Sequence, residues 1–422
     1  MAEIAVIGAG YVGLTTAACF SHLGHDVICA DIDEAKVAQL VRGEVPIVEA
    51  GLDALVREGL EGGRLSFVVG AAHAVPSAEF AYLCVPTPQD DDGAADLSYI
   101  EAAAREIGPL LPSEAVVVNK STVPVGSTRV VERVLGRDDV VVVSNPEFLR
   151  EGSAVHDFLN PDRIVIGSDD QSAAVRVASL YIGVTAPIIV TDPPSAETIK
   201  YASNAFLAAK ISFVNAIAAV CEAVGADVKD VVLGMGYDKR IGHEFLKPGP
   251  GWGGSCFPKD SQALVHIADS AGYSFDLLRG VITVNEDQFH RVATKVREMA
   301  GGSLEGVKVA VWGLTFKART DDIRESPALR VVSLLAEQGA EVQAYDPAVK
   351  GPVGGVMPAN DPYSVCDGAR VLAVLTEWDD FRWLDFDKVA GLMETPRVVD
   401  ARNLLDRPAL ERRGFSYVGI GR

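Results

Sequence analysis

Two stretches of the sequence decide its fold: EIAVIGAGYVG at residues 3–13 and DVICADID at residues 26–33. The first begins with five residues suited to a buried parallel strand and runs into a GxGxxG loop, after which a helical pattern follows from Leu14 to Leu23. The second stretch is a further strand, and this strand ends at Asp31. Strand, glycine loop, helix, strand and acid, in this order, predict the opening unit of a doubly wound α/β sheet.

The glycine loop predicts a dinucleotide site. Gly8 permits the tight turn, Gly10 leaves room for a pyrophosphate and Gly13 lets the helix pack closely on the strand, while the helix N-terminus faces the phosphates. Asp31 is placed to accept hydrogen bonds from ribose hydroxyls, and the acidic residues after it would repel a 2′-phosphate. The pattern therefore favours NAD over NADP, and a glycine-rich turn without a cofactor is the alternative.

Strand and helix patterns continue to alternate up to residue 144. Predicted strands cover residues 80–85, 115–119 and 140–144, and predicted helices cover residues 97–110 and 127–135. Open α/β sheets bind ligands at the carboxyl ends of their strands. The loops at those ends contain Pro86 to Pro88, Lys120 to Pro124 and Asn145 to Glu151; for Glu147 and Glu151 a solvated loop charge is the alternative.

The middle of the chain predicts one long helix, with Asp192 as its cap, Pro193 at its first position and apolar residues continuing to Val224. Such a helix spans roughly 45 Å and can link two domains. Lys200 and Asn204 are four residues apart and share a face. Such polar groups need partners if they are buried, and an exposed polar stripe is the competing account.

Residues 249–260, GPGWGGSCFPKD, place the thiol of Cys256 behind four glycines. The glycines allow a ligand to approach the backbone, and a cationic neighbour would favour the reactive thiolate. Arg240 and Lys247, just before the loop, are candidate phosphate ligands in an acidic protein. A buried cysteine in an ordinary turn is the alternative.

The last third of the chain repeats the opening pattern without its glycine fingerprint. A strand at residues 307–313 enters a loop at residues 314–324, followed by a helix at about residues 326–338 and by a strand at residues 341–345 that runs into Asp346. The loop basic residues could hold a phosphate compound or form surface ion pairs, and Arg402 could join them. We therefore predict two Rossmann-like doubly wound domains joined by a long central helix: 1–191 for NAD, 192–300 with the cysteine loop, and 301–422 for a nucleotide-sugar.

Composition narrows the partners and the compartment. A net charge of −20 over 422 residues argues against nucleic acid or an anionic membrane as a partner. The six cysteines are scattered, with no CxxC and no metal-ligand spacing, which suits a reducing cytoplasm and predicts no metal site. Lys210 and Asn215 interrupt the most apolar helical stretch, so a membrane span is not expected.

The motifs GAGYVG, KSTVPVGS, NPEFLREG, KYASNAFLAAK, DKRIG, FLKPGPGWGGSCFPKD and GLTFK occur in this order over nearly the whole chain. In them the sequence closely resembles the nucleotide-sugar dehydrogenases, the UDP-glucose/GDP-mannose dehydrogenase family. The resemblance implies a four-electron oxidation of UDP-glucose to UDP-glucuronate with NAD, through a thiohemiacetal and a thioester on Cys256. It also implies at least a homodimer, because the arginine of DKRIG, Arg240, reaches a neighbouring subunit's site in the family.

The resemblance also implies residue roles. For catalysis it implies Cys256, Lys200, Glu147, Asn204, Asp260 and Thr122. On the cofactor side, besides the glycines and Asp31, it implies Tyr11, Val12, Lys36, Thr87, Ser121, Thr122, Glu151 and Arg324. On the substrate side it implies Phe148, Leu149, Glu151, Lys200, Asn204, Arg240, Phe245, Leu246, Lys247, Gly253, Phe316, Lys317 and Arg402.

Two residues depart from the family pattern, and other functions stay open. Trp252 replaces the usual Phe or Tyr, and Pro86 removes a backbone donor near the cofactor. The same chemistry on dTDP-glucose, GDP-mannose or UDP-N-acetylmannosamine is one alternative. A two-electron hydroxyacid dehydrogenase is another, although it explains neither the thiol loop nor the second Rossmann-like half, and a non-catalytic NAD sensor is a third.

Overall fold

The structure, a computed structural model, describes residues 1–88 and 95–422. The chain forms two compact units. Unit 1 contains Met1–Ser203 and Gln262–Ala271, and unit 2 contains Asn204–Ser261 and Gly272–Arg422. These two units do not coincide with the predicted three-segment division at residues 191 and 300, because residues 192–203 and 262–271 of the middle segment belong to unit 1. The three-segment division stays a prediction.

Strands and helices alternate through most of the described chain. The strands are β1 (Glu3–Ile7), β2 (Asp26–Asp31), β3 (Leu65–Val69), β4 (Phe80–Leu83), β5 (Val116–Asn119), β6 (Val141–Ser144), β7 (Ile164–Gly167), β8 (Ile188–Thr191), β9 (Lys308–Trp312), β10 (Glu341–Tyr345), β11 (Val371–Val374), β12 (Arg397–Asp400) and β13 (Ser416–Val418). The helices are α1 (Tyr11–His22), α2 (Glu34–Val41), α3 (Leu52–Glu61), α4 (Ser98–Ile107), α5 (Ser127–Leu135), α6 (Ala154–Leu159), α7 (Gln171–Ser179), α8 (Pro193–Val224), α9 (Val228–Gly236), α10 (Phe257–Ser270), α11 (Asp276–Met299), α12 (Pro327–Glu337), α13 (Phe386–Leu392) and α14 (Arg407–Arg412).

Unit 1 contains an eight-stranded sheet in the order β3-β2-β1-β4-β5-β6-β7-β8. Neighbouring strands are parallel except β6 and β7, which pair antiparallel. Strand β1 is apolar throughout its buried part because both of its faces are covered: Val6 belongs to one core cluster and Ile7 to another. The carboxyl ends of β1, β4, β5 and β6 all open at one edge of this sheet, which is where the predicted loops lie.

Unit 2 contains a five-stranded parallel sheet in the order β10-β9-β11-β12-β13. Its interior strand β9 is covered on both faces in the same way, with Val309 in one core cluster and Trp312 in another. The predicted fold class, two Rossmann-like sheets joined through a long helix, is therefore confirmed.

Helix α8 has the predicted bounds. Asp192 caps it by accepting hydrogen bonds from the backbone N–H and the hydroxyl of Ser195, both at 2.8 Å. Lys200, Asn204 and Asn215 are all buried, so the exposed-stripe account of these residues is wrong. Among the described helices, α8 alone is long and apolar enough to cross a membrane by length and composition, a property that it shares with the core helices of folded proteins.

The sequence placed some elements inaccurately. Helix α1 begins at Tyr11 and not at residue 14, because the helix starts directly from the glycine loop, where the N–H of Leu14 donates to the carbonyl of Gly10 at 2.9 Å. Residues 154–191, for which no element was predicted, contain α6, β7, α7 and β8.

Candidate active site

The glycine loop after β1 has the geometry that a dinucleotide requires. Gly8 has a φ of +102°, which only glycine adopts easily. A Cβ on Gly13 would lie 1.8 Å from the carbonyl oxygen of Gly8, so this glycine is needed for helix packing. A Cβ on Gly10 would meet no atom within 4 Å, which leaves open space above the backbone at the helix N-terminus. The loop therefore fits a pyrophosphate.

Asp31 lies at the end of β2 beside this loop. Its carboxylate accepts hydrogen bonds from the N–H groups of Ala9 at 2.8 Å and Asp33 at 3.0 Å, and it pairs with Lys36 at 3.0 Å. Burial raises the pKa of Asp31, but the amide of Asp33 and the ammonium of Lys36 outweigh burial, so the pKa lies below its ordinary value. The ribose-binding candidate is thus an ionised carboxylate fixed from two sides.

Further cofactor candidates line the same edge of the sheet. The hydroxyl of Thr87 donates to the carbonyl of Thr122 at 2.9 Å, and the hydroxyl of Ser121 donates to the carbonyl of Val85 at 2.6 Å. These bonds join the loops after β4 and β5, including the loop with Pro86. Val12 is half-buried in the first turn of α1.

A carboxylate that the sequence analysis did not single out joins the loop after β6 to the start of α1. Glu49 is buried and accepts hydrogen bonds from the N–H groups of Gly152 at 2.7 Å and Ala154 at 2.8 Å. The hydroxyl of Tyr11 bonds to the same carboxylate. Glu151, next to Gly152 in the chain, is therefore held close to the glycine loop.

Glu147 and Lys200 form a buried ion pair in unit 1. The Nζ of Lys200 lies 2.7 Å from Oε1 of Glu147, and the side chains are 4% and 5% exposed. The N–H of Leu149 donates to the second carboxylate oxygen at 2.6 Å. Burial raises the pKa of Glu147, but the charge of Lys200, its hydrogen bond, the amide of Leu149 and the charge of Lys120 together hold it below its ordinary value.

The sequence analysis gave no role to four residues around this pair. They line a cavity of about 130 Å³ together with Glu147 and Phe148: Lys120, Asn145, Arg163 and Tyr181. The guanidinium of Arg163 lies 3.6 Å from the centre of the Phe148 ring, and Lys200 lies 5.5 Å from it. Lys120 and Asn145 begin two of the loops that the sequence places at the ligand-binding ends of strands, but the sequence gave neither residue an individual role.

The cysteine loop in unit 2 is held by buried side-chain amides. Asn215 accepts from the N–H of Gly249 at 2.8 Å, and Gln288 donates to the carbonyl of Gly249 at 2.7 Å. Asn285 bonds to both backbone groups of Trp252, at 2.8 and 3.0 Å. Trp252 is buried, and its indole donates to Ser212 at 2.9 Å, so the residue that departs from the family pattern is a packed part of the loop.

Cys256 directly precedes α10, and its carbonyl accepts the N–H of Asp260 at 2.8 Å. At a helix start the dipole favours an anionic thiolate. The fully buried carboxylate of Asp260 accepts from Asn204 at 2.6 Å and pairs with Lys259 at 2.8 Å. The other five cysteines are buried, while Cys256 is partly exposed.

Unit 2 also brings substrate candidates to the cysteine loop. A Cβ on Gly253 would lie 1.9 Å from the carbonyl oxygen of Glu325, and a Cβ on Gly254 would lie 2.8 Å from the ring of Phe316. Arg402 donates to the carbonyl of Phe316 at 2.9 Å. The Nζ of Lys317 lies 5.3 Å from the centre of the Phe316 ring.

The remaining candidates lie on loops of unit 2. Leu246 is buried, Phe245 has a φ of +62° and Lys247 is exposed. Arg240 is paired with Asp238 at 2.6 Å, and its side chain is 88% exposed. Arg324 pairs with Asp322 at 2.7 Å, as the surface-pairing alternative expected; its place at the cofactor stays a prediction.

All three segments of the chain match one protein family. Residues 2–185, 194–287 and 310–407 match the NAD binding, central and UDP binding domains of the UDP-glucose/GDP-mannose dehydrogenase family. The glycine loop, the buried pairs and the thiol loop define an NAD-dependent dehydrogenase. The chain belongs to the UDP-glucose/GDP-mannose dehydrogenase family.

Individual relatives agree with this assignment. The UDP-glucose 6-dehydrogenase of Rhizobium meliloti is 47% identical, with 100% of this chain and 99% of the relative covered. A UDP-glucose dehydrogenase structure from Pyrobaculum islandicum has a TM-score of 0.92 at 39% identity, covering 100% of this chain and 98% of that chain. A UDP-D-ManNAc dehydrogenase structure from Pyrococcus horikoshii has a TM-score of 0.89 at 29% identity, covering 99% of each chain.

Proposed function

We propose that this chain oxidises UDP-glucose to UDP-glucuronate in two NAD-dependent steps, with Cys256 as the nucleophile. The observation that carries the proposal is the partly exposed thiol at the start of α10, in a glycine loop packed on Phe316 and Glu325. The 47% identity to a UDP-glucose 6-dehydrogenase over the whole chain supports the choice of substrate.

The reaction balances with one thiol and one water. The C6 alcohol loses a hydride and a proton and becomes an aldehyde, to which Sγ of Cys256 adds to give a thiohemiacetal. This adduct loses a second hydride and proton and becomes a thioester, which water cleaves to the carboxylate and the free thiol. NAD, when bound by the glycine loop and Asp31, supplies the hydride acceptor for both oxidations. One sugar therefore yields two reduced cofactors and three protons.

The buried pairs have the chemistry that these steps need. Lys200 donates to the oxygen on C6 as negative charge develops there, and loss of one such donor costs about 2.7 to 4 kcal/mol. Glu147, already ionised beside Lys200, takes a proton from the attacking water. Asn204, held by Asp260, is the second donor, and Thr122 with Asp260 positions the water.

We assign the remaining candidates by the loops that carry them. Cofactor contacts come from the edge of the first sheet, and substrate contacts come from the loop after β6 and from the loops around Cys256. The cofactor set is Tyr11, Val12, Lys36, Thr87, Ser121, Glu151 and Arg324, and the substrate set is Phe148, Leu149, Glu151, Arg240, Phe245, Leu246, Lys247, Gly253, Phe316, Lys317 and Arg402.

The proposal is tested by the cofactor yield per sugar. Purified protein given NAD and limiting UDP-glucose is expected to form two NADH per sugar, and Cys256→Ser is expected to stop turnover. The partly exposed Ser255, whose hydroxyl lies 3.5 Å from the Cys256 sulfur, offers Ser255→Ala as a control that keeps the thiol. A yield of one NADH per sugar, or full activity in Cys256→Ala, rejects the double oxidation and favours a two-electron dehydrogenase.

The choice of sugar is tested separately. We expect UDP-glucose to give the highest kcat/KM in a panel with dTDP-glucose, UDP-galactose, GDP-mannose and UDP-N-acetylmannosamine. A higher value for any other member would keep the chemistry and change the substrate.

We further infer that the active form is at least a homodimer, joined through α8. From Asn204 onward every exposed residue of α8 is apolar, and these residues fall within an arc of about 100°. Four of them are large: Phe206, Phe213, Val220 and Val224, at 68%, 52%, 55% and 71% exposure. An apolar stripe of this length is typical of an interface, and a second copy offers a matching stripe.

Two experiments test the dimer. Phe206→Glu with Phe213→Glu is expected to give monomers in light scattering, whereas Trp383→Glu, at an equally apolar residue with 84% exposure, is not. Mixing Cys256→Ala chains with Arg240→Ala chains is expected to restore activity, because a heterodimer then contains one site with both residues intact. No recovery in a mixture shown to contain heterodimers would place Arg240 at its own subunit's site.

The composition supports a cytoplasmic location without a nucleic acid or membrane partner. The net charge is −20, and all six cysteines are free thiols, which suits a reducing compartment. In fractionated cells the protein is expected with the cytosol; recovery with washed membranes would contradict this.

A further inference from the structure

Lys120 is a buried cation to which the reaction scheme gives no role. It follows β5 directly and is 5% exposed. Its Nζ donates to Oδ1 of Asn145 and to the hydroxyl of Tyr181, each at 3.2 Å. Among the described residues, no carboxylate oxygen lies within 4.0 Å of the Nζ of Lys120, the limit for an ion pair. Burying an ammonium among neutral oxygens costs free energy, which points to a functional reason for the charge.

The hydrogen bonds of Lys120 fix the loop that carries Glu147. The Tyr181 hydroxyl donates to Oδ1 of Asn145 at 2.6 Å, which closes a triangle with Lys120. The side-chain amide of Asn145 donates to the carbonyl of Val165 at 2.8 Å. Asn145 lies two positions before Glu147 in the chain. The three hydrogen-bonded side chains therefore fix the position of the backbone between the end of β6 and Glu147.

Lys120 and Glu147 also line the same cavity, of about 130 Å³. At about 30 Å³ per molecule, this volume suits a few waters, and the polar lining gives them partners. The side chains of Lys120 and Glu147 are both buried, and buried charges interact more strongly than charges in bulk water. The ammonium of Lys120 therefore favours the ionised form of Glu147 without touching it.

The other titratable groups around this cavity lie against partners of their own, and His156 among them lies 3.7 Å from the carboxylate of Asp157. Lys200 is paired with Glu147, and Arg150 is paired with Asp157 at 2.6 Å. Arg163 stacks on Phe148, beside Asp162. Burial raises the pKa of the nearby thiols Cys19 and Cys84 to about 12, so both stay protonated. Lys200 and Lys120 are thus the two positive charges that hold the pKa of Glu147 down.

We propose that Lys120 is a positioning residue for Glu147: through Asn145 and Tyr181 it fixes the carboxylate's loop, and across the cavity its charge keeps the carboxylate ionised for thioester hydrolysis. In that step water attacks the thioester carbon and gives a proton to Glu147, the C–S bond breaks and the sulfur of Cys256 leaves. No further oxidant or reductant is involved. The inference rests on the proposed function, because it needs Glu147 as the base.

The test follows decay of the acyl-enzyme on Cys256 in single turnovers, by intact mass, between pH 3 and 8, a range that includes the region below pH 4.5 where Glu147 titrates. In Lys120→Met the acidic limb of the rate is expected to move upward by roughly half a pH unit or more, since loss of a nearby positive charge favours protonated Glu147. Lys120→Arg keeps the charge and is expected to restore the limb. Tyr181→Phe keeps the charge but loosens the triangle, so its rate is expected to fall equally at every pH.

In Lys120→Met the acidic limb of the rate could stay at the wild-type pH while the rate falls equally at all pH values. That result would show a merely structural role for Lys120 and would overturn the charge effect. If Lys120→Met does not fold, Lys120→Gln takes its place, and a pH-shifted limb in the charge-keeping Tyr181→Phe would equally overturn the proposal. Lys308→Met is the control. Lys308 is a half-buried lysine whose Nζ bonds to the carbonyl of Asp367, and its loss is expected to change neither the rate nor the position of the limb. A wild-type yield of one NADH per sugar would reject the proposed function instead, whatever the limb does.

Discussion

Gly8 in the first sheet and Gly313 in the second occupy the same position, the turn that follows the first strand. Gly8 has a φ of +102°, and its N–H donates to the carbonyl of Ala30 at 2.7 Å. Gly313 has a φ of +95°, and its N–H donates to the carbonyl of Tyr345 at 2.8 Å. The two halves of the chain thus share a turn that is specified by one left-handed glycine.

The aspartates at the end of the second strand of each half, Asp31 and Asp346, differ in their burial and in their hydrogen bonds. Asp31 accepts the N–H of Ala9 and stays at the edge of its sheet, paired with Lys36. Asp346 is fully buried, and one of its oxygens receives the N–H of Leu314 at 2.7 Å, both donors of Thr315 and the indole of Trp378 at 3.2 Å. The other oxygen accepts the N–H of Ala348 at 2.8 Å. A fully buried carboxylate held in this way anchors its loop and is not accessible to a ribose.

The segment after the shared turn differs as well. In the first half, α1 begins at Tyr11, immediately after the glycine loop. In the second half, α12 begins only at Pro327, and the intervening loop carries Phe316 and Lys317. The comparison teaches that one sheet frame serves two ligands: a short loop with a partly exposed carboxylate at the sheet edge suits a dinucleotide, and a long loop on a fully buried carboxylate suits a differently shaped nucleotide compound.

The largest effect is expected from the packing glycine that the second half lacks. Gly13→Ala places a Cβ 1.8 Å from the carbonyl oxygen of Gly8 and is expected to destabilise the protein by about 3 kcal/mol or more. Gly10→Ala meets open space, so stability should change by less than about 0.5 kcal/mol while NAD binding weakens. Thermal unfolding and NAD titration measure both. Equal stability losses would contradict the division of roles between the two glycines.

The two aspartates give the next largest effect. Asp346→Asn leaves buried donors unmatched and is expected to cost roughly 2 to 3 kcal/mol in the free energy of unfolding, with NAD affinity unchanged. Asp31→Asn is expected to weaken NAD binding about tenfold, or 1.4 kcal/mol, with a smaller loss of stability. Scanning calorimetry measures the stability of both variants, and titration calorimetry measures their NAD affinity. A weakened NAD affinity in Asp346→Asn would contradict the assignment of different roles to the two aspartates.

A smaller effect is expected from the long loop of the second half. Lys317→Ala should weaken nucleotide-sugar binding by roughly tenfold through loss of one charge-assisted contact, with NAD affinity unchanged. Arg319, two residues away, pairs at the surface with Asp379 at 3.0 Å, and Arg319→Ala is the matched control. Comparable losses in both variants would mean that the loop attracts phosphate only by its net charge.

The smallest effect is a difference in acid response between the halves. The folded-state pKa of Glu147 is lowered from 4.5, so its stabilising contribution is present above that pH and is lost as the pH falls. Burial raises the pKa of Asp400 above 3.8, against its hydrogen bonds from Leu405 and other donors, so its contribution is present below pH 3.8 and is lost as the pH rises.

Amide exchange in β6 and β12 between pH 3.5 and 6 measures this response. The protection lost in Glu147→Gln relative to wild type should grow with pH in β6. The protection lost in Asp400→Asn should shrink with pH in β12. The same pH trend in both strands would show that the two carboxylates do not set the local stability.

Local patterns in the sequence were sufficient for the main elements. The bounds of β1, α5, α8 and β10 follow from strand and helix periodicity, caps and turns, and the structure has them at the predicted residues. Residues 154–191 gave no prediction because β7 and β8 are mostly apolar runs of only four residues, and a short apolar run does not by its periodicity distinguish a strand from part of a buried helix.

The site was predictable as a set of residues but not as a set of contacts. Glu147 and Lys200 were both singled out, yet their ion pair joins positions 53 residues apart, and nothing in the local sequence encodes it. Lys120 meets Tyr181 across 61 residues. A lysine after a strand looks the same in sequence whether it is solvated or buried, because only the tertiary fold decides which.

The thiol inventory gives the protein a built-in reporter. Burial raises the pKa of Cys366 to about 12, as it does for Cys19 and Cys84, and Cys29 and Cys221 are buried as well. An alkylating reagent at neutral pH should therefore consume one equivalent per folded chain, at Cys256. Labelling stoichiometry then counts competent sites in any preparation, and the labelling rate reads out, without a substrate, how each variant changes access to that sulfur.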